Sequence, residues 1–166
     1  MKSASIAIGI MVGLIVAVVL CIYANRNHRA KSEYDERQKE IRGRGYQYAF
    51  YAICIYEFIM MVLGIGDIRF PFEPYLFHFA GILIGVIVLS GYCIWHDAYW
   101  GLNNNRKRYA IIFLATAVLN AIPVIGALTH GGLTTAPLLN LMVLLMLLIL
   151  GSELLIKHLM EKREAE

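Results

Sequence analysis

Glu57 is the residue in this sequence whose type and setting most plainly invite chemistry. It is the one acid near the middle of a long apolar run, about 11 residues or roughly 16 Å of helix from the run's inner end. A charged carboxylate in hydrocarbon costs at least a few kcal/mol, so Glu57 must be protonated, paired or open to a wet cavity. Ala49, Ile53, Met60 and Gly64 share its helical face and give that face a protein-facing character. Asn120 lies at a similar depth in another apolar run and offers an amide to the carboxyl, whereas His78 and Asn140 lie nearer the outer face. Glu57 with Asn120 is therefore a candidate intramembrane polar site for a proton or small cation. The competing reading is a neutral carboxylic acid, hydrogen-bonded to hold two helices together.

Other reactive groups are sparse. His96-Asp97 places a carboxylate next to an imidazole, but neighbouring residues on a helix point in different directions. His28, His130 and His158 are scattered, and no H-E-x-x-H, G-x-S-x-G or Gly-rich phosphate loop is present. Cys21, Cys54 and Cys93 fall in apolar runs, where a thiol behaves as a small apolar side chain. No catalytic residues, metal ligands or cofactor site are expected, and the sequence reads as a non-enzyme. Glu153 is expected to pair with Lys157, four residues on, at the membrane interface.

These residues must be positioned by membrane helices. Of 166 residues, 59% are apolar and 16% charged, and mean hydropathy is +0.62. A soluble domain carries about 25% charge, so too few polar residues are present to build a wet exterior. A span needs about 20 apolar residues. Five stretches qualify, at about 4–23, 46–66, 75–95, 109–128 and 136–156. The expected fold is an all-α polytopic bundle of five transmembrane helices in a single integral membrane domain over 1–166. A partly helical cytoplasmic loop is expected over 24–45 and a cytoplasmic tail over 157–166. Basic residues stay on the cytoplasmic side. Assigning loop 24–45, Arg106-Lys107-Arg108 and the tail to that side leaves only Lys2 and Arg69 of the 15 lysines and arginines opposite, which orients the chain N-out/C-in. The first span is read as retained: it lacks a basic n-region beyond Lys2 and runs opposite to a signal peptide. Tyr46, Tyr48, Tyr51, Trp95, Tyr99, Trp100 and Tyr109 form an inner aromatic belt, and Phe70, Phe72, Tyr75 and Phe77 an outer one. Small residues recur every fourth position at Ser5, Gly9, Gly13, Ala17 and Cys21, and again at Gly81 and Gly85. Such stripes let helices approach closely in lipid, within the bundle or in a homo-oligomer through Gly9/Gly13. Pro123 is expected to bend its helix near Leu119 and Asn120.

The first cytoplasmic loop is the most informative polar segment. Ser32 followed by Asp35 suggests a capping box and a helix from about Glu33, loosening at Gly43-Arg44-Gly45. Glu33/Arg37, Asp35/Lys39 and Glu40/Arg44 are acid-then-base pairs four apart. The loop's mixed charge suits attraction to the anionic bilayer surface, and because topology already accounts for its basic residues, nucleic acid is not an expected partner. Glu33-Tyr34-Asp35-Glu36-Arg37-Gln38, then Ile41-Arg42-Gly43 and the aromatic run Tyr46 to Phe50, resembles the D-E-R-Q segment of small uncharacterised bacterial multi-pass membrane proteins. The resemblance covers about 20 residues and implies a bacterial cytoplasmic (inner) membrane location without a defined activity. Family chains of this kind have about four spans. Asp35, Glu36, Arg37 and Gln38 are thus a candidate cytoplasmic docking motif. They either clamp the loop to the cytoplasmic helix ends, including Arg106 to Arg108, or face a protein partner. The functional expectation is a non-enzymatic interaction or regulatory membrane protein. The alternative is a small proton- or cation-coupled transporter, or transporter subunit, using Glu57.

Overall fold

The computed structural model describes residues 12, 15–16, 18–20, 22–23, 32–68, 70–130, 132 and 134–164. The chain divides into two compact units, Met1–Glu33 and Tyr34–Glu166, each taken by itself. In the first unit the described residues from Val12 to Tyr23 are helical. The rest of the predicted first span, with the stripe Ser5, Gly9, Gly13, Ala17 and Cys21, lies outside the described residues. The second unit is built from four helices: α1 (Glu36–Ile65), α2 (Pro74–Trp95), α3 (Arg106–His130) and α4 (Thr135–Glu164). Each is long and apolar enough to cross a membrane. The described residues thus carry four candidate spans where the sequence predicts five.

Helix limits follow from local chemistry. Asp35, not Ser32, caps α1: its Oδ1 accepts the Gln38 backbone N–H at 2.6 Å, and Gln38 Oε1 accepts the Asp35 N–H in return. With its carboxylate used this way, Asp35 does not pair with Lys39, which bonds Glu36 instead, while the predicted Glu40–Arg44 pair forms at 2.7 Å. α1 runs unbroken through Gly43-Arg44-Gly45, so the segment predicted to loosen is helix. Gly45 serves close approach instead, since a Cβ there would lie 3.1 Å from Leu89 and 3.5 Å from Cys93 Sγ. α1 and α2 end by the same device. The residue after each cap is left-handed, Asp67 at φ 50° and Asp97 at φ 60°. The next N–H reaches back five residues, Ile68 to Leu63 and Ala98 to Cys93. This is the Schellman arrangement with aspartate in the place glycine usually takes. Asn105 caps α3 by accepting the Arg108 N–H. α3 continues through Pro123 as one helix. The tail predicted from 157 is the last two turns of α4.

The helices stand in a row rather than a closed bundle. α1 packs on α2, α2 on α4 and α4 on α3, and among the described residues no other pair of these four helices touches. Gly85 lies against Ile53 and Gly81 against Tyr56 and Glu57, which sets α1 antiparallel to α2. Gly91 lies against Glu153 near the C-terminal ends of α2 and α4, and the N-terminal ends of both flank one shallow cleft lined by Phe72, Leu76, Thr135 and Leu138. Those two helices are therefore parallel. Phe113 meets Gly151, and with α3 ending at His130 and α4 starting at Thr135 these two residues lie about equally far from the connection, so α3 runs antiparallel to α4. Among the described residues the buried apolar side chains are few: Ala49, Leu76, Cys93, Ile94, Ala98, Val124, Leu147 and Leu150. Leucine, isoleucine, valine and phenylalanine cover the exterior of all four helices, as lipid contact requires.

Candidate functional site

One end of the row gathers the start of α1, the α2–α3 loop, the start of α3 and the end of α4. Gln38 is buried there, and its Nε2 donates to the carbonyls of Asp97 at 3.0 Å and Trp100 at 3.2 Å. Arg42 donates to the Ala98 carbonyl at 3.3 Å and lies 4.2 Å from the centre of the Tyr34 ring. From the other side Lys157 of α4 reaches the Asp97 carboxylate at 3.0 Å. Three carbonyls and one carboxylate of a single loop are thus held by helices that do not touch each other. Aromatic rings surround this clamp, with Tyr99 and Trp100 edge to face at 4.8 Å and Trp100 and Tyr109 at 5.7 Å. Burial pushes the Tyr99 phenol above its ordinary range and Tyr34 adds to the shift, while Arg42 opposes it.

The D-E-R-Q segment divides into two faces. Asp35 and Gln38 build the cap and the clamp, whereas Glu36 and Arg37 are exposed. The clamp's target is the backbone of residues 97–100, not Arg106 to Arg108. A single glutamine finding two carbonyls gives no periodic signal, so its acceptors were not legible in the sequence. Lys157 also chooses Asp97 over the predicted Glu153.

In the membrane-crossing part Glu57 finds a partner, but not Asn120. Its Oε2 lies 2.9 Å from Nδ1 of His78 on α2. Its Oε1 sits over Gly81, where a Cβ would be 2.8 Å away. Asn120 instead donates to the Thr116 carbonyl of its own helix at 2.8 Å, on α3, which does not touch α1. Equal depth in two spans does not make them neighbours, and the row order separates these two. The Glu57 side chain is 36% exposed and His78 is 65% exposed, so the pair sits on the α1–α2 seam rather than in a closed core. Imidazole against carboxylate can share, take up or release a proton. Asn140 donates to Ala136 within α4. Among the described residues no three His, Cys, Asp or Glu side chains gather into a metal-binding group. No family model, curated protein or solved structure matches the chain.

The clamp predicts a contrast between two residues one position apart. Gln38→Ala leaves two loop carbonyls without their donor and should destabilise the protein by about 1–3 kcal/mol. Arg37→Ala, on the exposed side, should stay within about 0.5 kcal/mol of wild type. Thermal unfolding of both variants in detergent reads the difference.

Proposed function

We propose that this is a non-enzymatic multi-pass protein of a bacterial cytoplasmic membrane that acts by presenting its basic helix ends to a protein partner in the cytoplasm. The observation that carries this reading is the length and placement of α1 and α4. Each has 30 residues, about 45 Å at 1.5 Å per residue, against roughly 30 Å of hydrocarbon. Their polar ends lie at the same end of the row, joined through the loop they both grip. Arg37, Lys39, Arg42, Arg44, Arg106, Lys107, Arg108, Lys157, Lys162 and Arg163 all belong to that end. The positive-inside rule then makes it cytoplasmic. A fifth span before α1 gives the N-out/C-in arrangement, with Gly9 and Gly13 as a surface for self-association. The resemblance of the D-E-R-Q segment supports the bacterial location. Its Glu36 and Arg37, left out of the clamp, are the docking face.

Photo-crosslinking in native membranes from a probe at Arg37 should capture a specific cytoplasmic or membrane partner. Glu36→Lys should remove the adduct while lowering the unfolding temperature far less than Gln38→Ala does. An absent adduct, or an adduct that survives charge reversal, would refute the docking role.

A second reading is favoured by the Glu57–His78 pair, a titratable couple in a span. In it the protein is a small proton- or cation-coupled transporter, or a subunit of one. Proteoliposomes should then show pH-driven flux that Glu57→Gln abolishes and Asn120→Ala leaves intact. Absence of flux, or flux indifferent to Glu57→Gln, rejects it.

A further inference from the structure

Glu153 is the acid whose surroundings answer least to its charge. On α4 it faces Gly91 of α2, where a Cβ would lie 3.0 Å from Oε2 and 3.2 Å from Oε1. The glycine is what admits the carboxyl between the helices. Oε2 is buried and, among the described residues, has no hydrogen-bond partner. A base stands one turn away, yet Lys157 is drawn to Asp97 at 3.0 Å, with its side chain only 21% exposed. The other titratable or charged groups on the packed elements near this level are Tyr92 and Cys93 of α2, His96 and Asp97 just after it, Arg108 and Tyr109 of α3, and His158 of α4. Tyr92 and His96 stack on each other, His96 bonds the Tyr92 carbonyl, and Cys93 is buried beside Gly45. No ion pair links any of them to Glu153 among the described residues.

A charged carboxylate with one oxygen buried and neither donor nor counter-charge beside it is costlier to hold than the neutral acid. We propose that Glu153 is a proton-binding carboxyl, kept without a counter-ion because Asp97 captures Lys157. The site stands apart from the Glu57–His78 pair, about ten residues or roughly 15 Å along α2 from Gly81, and does not depend on the transport reading. It also gives a role to the left-handed aspartate at the end of α2. Asp97 terminates the helix and holds the lysine that would otherwise neutralise Glu153.

Infrared spectroscopy of the full chain in phosphatidylcholine vesicles tests this directly. At neutral pH the wild type should show the carbonyl stretch of a protonated carboxylic acid, and the wild-type minus Glu153→Gln difference spectrum should contain that band. A second comparison leaves Glu153 in place. In Asp97→Asn, which keeps a side chain tolerant of the left-handed backbone, Lys157 is released to pair with Glu153 and the band should be lost. In Asp97→Asn with Lys157→Met the band should return. If Glu153→Gln does not fold, this pair of variants decides the matter. A wild type without the band, a band whose intensity is unchanged by Glu153→Gln, or a band unchanged in Asp97→Asn would each overturn the proposal.

Discussion

Close approach at the glycines of α2 is the constraint on which the second unit depends. In lipid no hydrophobic force drives helices together, because the surroundings are as apolar as their surfaces. Association must come from van der Waals contact and from polar groups with nowhere better to go. α2 supplies the first through Gly81 and Gly85, against Tyr56, Glu57 and Ile53 of α1, and through Gly91, against Glu153 of α4. It is the one helix with neighbours on two sides whose glycines serve both contacts. α3, which has no contact with α2, joins only through α4.

The same glycines decide where the acids of the spans end up. Gly81 makes room for Glu57 beside His78, and Gly91 makes room for Glu153. Each carboxyl therefore lies at a helix seam, one between α1 and α2 and the other between α2 and α4. The polar end works differently. There backbone carbonyls of the α2–α3 loop supply the acceptors, and Gln38, Arg42 and Lys157 supply the donors. This coupling ties the first and last helices of the row to one loop. A partner touching the exposed face of α1 would thereby act on the same helix that grips the loop.

Much of this was legible in the residues. Hydropathy locates α1 to α4, and the apolar runs ending at Gly66 and Trp95 stop where α1 and α2 stop, at Ile65 and Trp95. The full extent of α1 and α4 is not legible there, because a long helix carries polar residues past the headgroups in stretches that read as loop. The cap was placed at Ser32 because serine and aspartate three apart satisfy the pattern; Asp35 and Gln38, also three apart, satisfy it better because both partners reciprocate. Gly81 and Gly85 were legible as a contact surface, but not what would press against them. Glu57 stands out in the sequence as an acid inside an apolar run, but its neighbour His78 does not, because equal depth points to Asn120 while helix order places His78 beside it. Helix order in a membrane is not periodic in the sequence; it follows from which small residues meet which side chains.

Disulfide crosslinking in native membranes, in a background without the three native cysteines, tests that order most directly. Ile53→Cys with Gly85→Cys reads the α1–α2 contact, and Phe113→Cys with Gly151→Cys reads the α3–α4 contact. Both pairs should crosslink readily under mild oxidation, whereas Glu57→Cys with Asn120→Cys, on α1 and α3, should not. Efficient crosslinking of the 57/120 pair, with either of the other two failing, would contradict the row and restore a closed bundle.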